Sequence, residues 1–195
     1  MGIFFLAIIS YFVGNISGGL ILSKLLFKQD IREFGSGNTG TTNALRVFGK
    51  KIGILTFIID FLKGLIITYI GSKIYGDIGM FTAGLAVVLG HDWPIVYGFK
   101  GGKGIATSFG VLMAISPLHI LAVFGVFLII VAISKYVSLG SVSVAVLCIF
   151  VGIYFIVKKE FFYGGILYII LAVITIFKHR GNIYRLLTGN ESRIK

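Results

Sequence analysis

Apolar residues in this chain gather into blocks: Ile3 to Phe27, Ile52 to Tyr75, Ile78 to Leu89, Ile105 to Ile133, Tyr136 to Val157 and Phe161 to Phe177. A helix crosses the hydrocarbon of a bilayer with about 20 residues, and several blocks reach that length. Hydrophobic residues make up 57% of the 195, and the mean hydropathy is +1.01, more than a soluble core of this size requires. These blocks predict an all-α integral membrane protein. The first block has no basic segment ahead of it, because Lys24 and Lys28 follow the apolar run, so it reads as a first span and not as a cleavable signal.

The block from Ile105 to Ile133 decides how many spans there are. As one helix its 29 residues would measure about 43 Å, against a hydrocarbon core of about 30 Å. Ser116-Pro117 lies inside it, and a proline there can end one helix and begin another. With a turn at Pro117 there are seven transmembrane helices. With the N-terminus outside and the C-terminus cytoplasmic, only Lys73, Lys158 and Lys159 then lie outside. Lys63 is inside a span, and the rest of the 18 lysines and arginines are cytoplasmic. Without the turn, Lys135 and the cations of the C-terminal tail fall outside. The positive-inside rule therefore favours seven spans. Ile78 to Leu89 and Ile105 to Ile115 are short for this, and must extend into neighbouring glycine loops or cross only part of the bilayer.

The net charge of +11 is distributed over the cytoplasmic connections and needs no nucleic acid to explain it. The one cysteine, Cys148, sits in an apolar run, which excludes an internal disulfide and a multi-cysteine metal site. Residues 1–195 read as a single membrane domain with cytoplasmic motif loops 29–51, 90–104 and 178–195.

The first loop carries Gly35-Ser36-Gly37-Asn38-Thr39-Gly40-Thr41-Thr42-Asn43-Ala44-Leu45-Arg46. Its glycines allow N–H groups to converge, the hydroxyls and amides add short donors, and Arg46 follows as a fork-shaped cation, a composition suited to phosphate. The plainer alternative is a polar loop capping the next helix through Thr42 or Asn43. In the second loop, Gly98-Phe99-Lys100-Gly101-Gly102-Lys103-Gly104 superficially resembles a Walker A motif, but Gly104 stands where a magnesium-binding Ser or Thr is required. The glycines can still wrap an anion at the start of the helix entered at Ile105. His91, beside Asp92, reads either as a base or as a hydrogen-bonded pivot. In the third loop, His179, Asn182 and Glu191 exceed what a basic tail needs, and Glu191, one of only seven acidic residues, suits a structural pairing with an arginine better than a base.

Together GSGNTGTTNALR, GHDWPIVYGFKGGKGIAT and HRGNIYRLLTGNE, in that order and separated by apolar spans, resemble the PlsY family of bacterial acyl-phosphate:glycerol-3-phosphate acyltransferases. The likeness runs from about Asn15 to Glu191. It implies a multi-pass enzyme of the bacterial cytoplasmic (inner) membrane that transfers a fatty acyl group from acyl phosphate to the 1-hydroxyl of glycerol 3-phosphate. The products are lysophosphatidic acid and phosphate, in the first acylation of phospholipid biosynthesis. It assigns Ser36, Arg46, Lys103, His179 and Asn182 to catalysis and Gly101, Gly102 and Gly104 to the glycerol-3-phosphate loop. Gly37, Asn38, Thr41, Asn43, Lys100 and Ser141 join them as candidate substrate contacts, and Glu191 maintains the structure. Membrane lipid is the expected surrounding, a monomer the expected state, and no metal, other cofactor or nucleic acid is expected.

Two other activities bear comparison. An acyltransferase using a His-x4-Asp dyad is excluded, because four intervening positions on from His91, His119 and His179 stand Val96, Phe124 and Tyr184. A membrane transporter of an organic phosphate would need buried charge near mid-membrane. Asp60 and Lys63 offer it, although their i,i+3 spacing equally suits a structural pair.

Overall fold

In a computed structural model that describes residues 1–194, the longest helix shows most clearly what medium the chain is built for. On helix α4 (Lys50–Asp92), Ile54, Ile58, Leu62, Ile66 and Ile70 recur at i,i+4 and are 40–58% exposed, while Thr56, Asp60, Lys63 and Thr68 on the other face are buried. A soluble helix does the opposite. Branched apolar side chains facing out and small or polar ones facing in is the pattern of a helix solvated by lipid.

Among the described residues all regular structure is helical: α1 (Gly2–Gly14), α2 (Gly18–Phe27), α3 (Thr41–Phe48), α4, α5 (Ile105–Ile115), α6 (Pro117–Ser134), α7 (Val137–Lys158), α8 (Phe162–Lys178) and α9 (Arg180–Leu187). Short 3-10 turns occupy Ile31–Glu33 and Ile95–Tyr97. The helices form two compact units that divide between Ala114 and Ile115. In the first, α1, α2 and α3 all pack on α4, and α5 joins them through Phe109, whose ring centroid is 5.2 Å from that of Phe61. In the second, α7 packs against α6, α8 and α9, with the fully buried Tyr168 bonding Ser116 at 2.7 Å.

The breaks between spans have local causes. Helix α4 is interrupted at Tyr75 and Gly76, where Gly76 has φ 58° and ψ −143°, a conformation that side chains resist. This separates the blocks ending at Tyr75 and starting at Ile78, as the sequence reading expects. The expected turn at Pro117 is also present: Ser116 leaves helical geometry and Pro117 opens α6, where its missing N–H costs nothing.

The first block differs from expectation. It is two helices bent by 42°, with Asn15 closing α1 and the Ser17 side chain accepting from the Leu20 amide to open α2. Ile16 keeps the run apolar across the bend, which is why hydropathy alone reads straight through it. Among the described residues, three helices are by length and composition apolar enough to cross a membrane singly, or up to five spans if each bent pair counts as one.

Candidate active site

The first unit assembles the first two motif loops. Loop 29–51 opens with Asp30, whose Oδ1 accepts from the Arg32 backbone N–H and Nε at 3.0 Å, and whose Oδ2 accepts from Nη2 at 2.7 Å. This fork beside Asp30 holds its carboxyl well below the usual range, at about 2, against the opposing effect of burial. Arg32 also donates to the Tyr97 carbonyl at 3.3 Å, tying the first loop to the second. A further link is long: Asn38 Nδ2 reaches the Gly101 carbonyl at 3.5 Å.

Asn43 shapes the loop from inside. Its Nδ2 donates to the carbonyls of Ile31, Phe34 and Asn38 at 3.3, 3.0 and 2.9 Å, and its Oδ1 accepts from the Ser36 amide at 2.9 Å. The plainer alternative, a cap at Thr42 or Asn43, does not hold. Gly40 holds the capping position of α3 without a side chain, and the Asn38 side chain supplies the missing acceptor to Gly40 N–H at 3.0 Å. With Asn43 and Thr39 buried beneath the loop, Ser36, Gly37 and Arg46 are left on its exposed side, and Thr41 is half-buried at the helix start.

The second loop rests on the end of α4. Gly102 N–H donates to the His91 carbonyl at 3.1 Å, and a side chain on Gly102 would run into the His91 ring, 2.7 Å from Cε1 and 2.9 Å from Cδ2. Gly104 has φ 74°, and a Cβ there would lie 3.0 Å from a carboxylate oxygen of Asp92. Lys100 is exposed, Lys103 and Gly101 are half-buried, and Gly102 and Gly104 are buried.

Beneath this loop lies a buried knot of polar groups, of which sequence reasoning connects only the Asp60–Lys63 pair. Lys63 Nζ donates to the Gly14 carbonyl at 2.9 Å and to the Ile16 carbonyl, pairs with Asp60 Oδ1 at 3.0 Å and meets His91 Nδ1 at 2.8 Å. Asp60 Oδ1 in turn accepts from the Gly18 amide at 3.2 Å. Bending α1 away from α2 leaves carbonyls and an amide without helical partners. The ion pair supplies both kinds, so the charge a transporter would use here serves packing.

The second unit assembles the third loop. Glu191, with a side chain only 4% exposed, accepts from Ser138 Oγ at 2.9 Å, Asn182 Nδ2 at 2.7 Å and Arg185 Nε at 2.8 Å. Burial pushes its carboxyl up, but the three donors outweigh that and hold it below its ordinary range. The pairing with an arginine matches the sequence reading; Ser138 is a partner that reading missed, since no pattern links a helix start to a tail 53 positions away. His179 is buried at the junction of α8 and α9 with Nδ1 2.8 Å from the Thr175 carbonyl. A carbonyl can only accept, so a neutral His179 carries its proton on Nδ1 and keeps the lone pair on Nε2. Ser141 is buried one turn beyond Ser138 and donates to the Val137 carbonyl at 2.9 Å. Among the described residues no three His, Cys, Asp or Glu side chains converge as metal ligands.

Lipid-facing helices and glycine-rich, cation-bearing loops at helix ends define an all-helical integral membrane protein with polar machinery in its connections. A model of the glycerol-3-phosphate acyltransferase family matches residues 4–189. The chain is 53% identical to the glycerol-3-phosphate acyltransferase of Finegoldia magna, over 97% of this chain and 94% of that one. It is 46% identical to that of Thermoanaerobacter pseudethanolicus, over 96% and 93%. It also resembles the crystal structure of PlsY (YgiH), an integral membrane glycerol 3-phosphate acyltransferase, in its glycerol 3-phosphate form, with TM-score 0.91, 40% identity, and coverage of 100% of this chain and 96% of that one. The lysophosphatidic acid form matches with TM-score 0.89. The chain belongs to the glycerol-3-phosphate acyltransferase family.

Proposed function

We propose that this protein transfers a fatty acyl group from acyl phosphate to the 1-hydroxyl of glycerol 3-phosphate. The hydroxyl oxygen attacks the acyl carbon and a new ester C–O bond forms. The acyl–phosphate C–O bond breaks and phosphate leaves with the electron pair. The hydroxyl proton passes to His179 Nε2 or to a substrate phosphate oxygen. The products are lysophosphatidic acid and inorganic phosphate.

The difficulty of this reaction is electrostatic. Two dianions about 6 Å apart repel by roughly 11 kcal/mol at an effective dielectric near 20. The leaving group is already a good one, so cations and N–H dipoles matter more than a strong acid. Arg46, Lys100 and Lys103 with the glycine loops are our choice for that role. Ser36, Gly37, Asn38 and Thr41 line the same stretch of the first loop, while Asn43 acts through the loop it holds. Asn182 and Ser141 accompany His179. Proximity supplies much of the remaining acceleration.

The observation that carries the reading is the coincidence of a family match over residues 4–189 with motif loops held by specific contacts: Asn43 Nδ2 to loop carbonyls in the first, the Gly102 N–H to the His91 carbonyl in the second, and Asn182 Nδ2 to the Glu191 carboxylate in the third. We further propose a seven-span, single-domain, monomeric protein of the bacterial inner membrane with the N-terminus outside and loops 29–51, 90–104 and 178–195 cytoplasmic. The breaks at Gly76 and Pro117 support that count, together with the positive-inside rule. Helix α5, at 11 residues, extends only about 16 Å and crosses part of the bilayer. The test is phosphate release by purified protein in detergent, expected only when acyl phosphate and glycerol 3-phosphate are both present. Release at the same rate without glycerol 3-phosphate would contradict it.

A further inference from the structure

The contact between Lys63 and His91 joins the bend in the first span to the glycine loop through one imidazole ring. An ammonium group only donates, so at 2.8 Å His91 Nδ1 must accept from it. The nearby Asp60 Oδ1 is 3.7 Å from Nδ1, too far to take a proton from it. Around Nζ stand the carbonyls of Gly14 and Ile16, Asp60 Oδ1 and His91 Nδ1, so three N–H groups are divided among four acceptors. A second positive charge beside that ammonium is strongly disfavoured. The ring is therefore neutral, with its proton on Nε2, and its other edge lies against Gly102. A Cβ added to Gly102 would fall on Nε2, Cε1 and Cδ2 of the ring, and one added to Gly101 would meet the His91 carbonyl. The Gly102 amide donates to that same carbonyl at 3.1 Å.

We propose that His91, fixed in orientation and tautomer by Lys63, is a positioning residue for the anion-binding glycine loop. Its ring sets the place of the Gly101–Gly102 backbone and hence of Lys103 beside it. His91 is thus a hydrogen-bonded support and not the base. It is the rigid floor on which a phosphate monoester site is built, and Gly102 is glycine because the ring occupies the space a methyl group would need. This rests on the reading of that loop as the glycerol 3-phosphate site.

A double-mutant cycle on the full-length protein in detergent, with His91→Ala, Gly102→Ala and the pair together, tests it. His91→Ala should raise KM for glycerol 3-phosphate about tenfold and KM for acyl phosphate less than about twofold, since one loop is displaced. Gly102→Ala should be at least as harmful alone. In the His91→Ala background it should add less than about threefold, because the colliding ring is gone. Equal cost in both backgrounds would overturn the proposal. If Gly102→Ala cannot be recovered folded, recovery becomes the readout: the pair should be recoverable where the single change is not, and equal loss of both would overturn the idea. His91→Asn keeps an acceptor near Lys63 but not the ring against Gly102. It should melt closer to the parent than His91→Ala while keeping the raised KM, and a parental KM would contradict the assignment. If the parent itself releases no phosphate, the functional reading falls. The packing claim is then decided by the melting temperatures of the four proteins, which should be sub-additive if ring and glycine touch, and additive if they do not.

Discussion

Replacing Glu191 should damage the fold before it damages the chemistry. The carboxylate is 4% exposed and accepts from two buried groups, Ser138 Oγ and Asn182 Nδ2, and from Arg185 Nε, whose side chain is 43% exposed. Hydrogen bonds to a charged group contribute about 1.5–3 kcal/mol each when buried. The arginine contact is open to solvent and adds only about 0.5 kcal/mol. Glu191→Ala should therefore cost about 3.5–6.5 kcal/mol, a fall in melting temperature on the order of 10 °C for a chain of this size. Glu191→Gln keeps one acceptor and the shape, and should lose about half as much. The assay is thermal unfolding in detergent alongside activity measured well below the melting temperature, with activity per folded molecule expected to fall by less than about tenfold. A purified Glu191→Ala protein that melts like the parent yet is inactive would refute the reasoning.

Lys63→Met should be strongly destabilising, by about 3–5 kcal/mol, because it leaves the Asp60 carboxylate buried beside carbonyls that have lost their donor; unfolding of Lys63→Met and of Lys63→Met with Asp60→Asn should show the second change recovering part of the loss. Asp30 has a depressed folded pKa of about 2, caused first by Arg32. Its stabilisation is thus present above the ordinary carboxylate pKa of about 4 and fades as pH falls from there through about 2. The difference in melting temperature between parent and Asp30→Asn should accordingly shrink between pH 5 and pH 2, and a constant difference would contradict the pairing. Arg46→Lys keeps the charge on the exposed face of α3 but loses the planar fork, so kcat/KM should drop at least about tenfold in a protein that melts normally. Lys103→Ala should likewise cut turnover or glycerol 3-phosphate affinity severely while leaving the protein extractable.

The helices were legible because each apolar block is long and its limits carry strong local signals. Pro117 restricts the backbone through its ring and Gly76 permits a conformation that side chains resist, and the breaks appear between two apolar blocks at Gly76 and inside one at Pro117. The bend at Asn15 to Ser17 was not legible, since it depends on buried partners 42 and 49 positions away that replace the lost helical bonds. The motif loops were visible as compositions, yet composition does not separate a residue that touches solvent from one that holds the loop. Asn43 and Ser36 are both short and polar, but Asn43 is consumed by three carbonyls and an amide whereas Ser36 stays exposed. His91 shows the same limit: its neighbour Asp92 was the natural partner to consider, while its ring meets Lys63, 28 positions away.

The most direct test of the account is the fate of labelled glycerol 3-phosphate in proteoliposomes supplied with acyl phosphate. Labelled lysophosphatidic acid should appear in the bilayer with one phosphate released for each molecule formed, and Lys103→Ala should cut both severely and together. Label accumulating inside the vesicles as unchanged glycerol 3-phosphate, without acylated product, would contradict the account and point to a carrier.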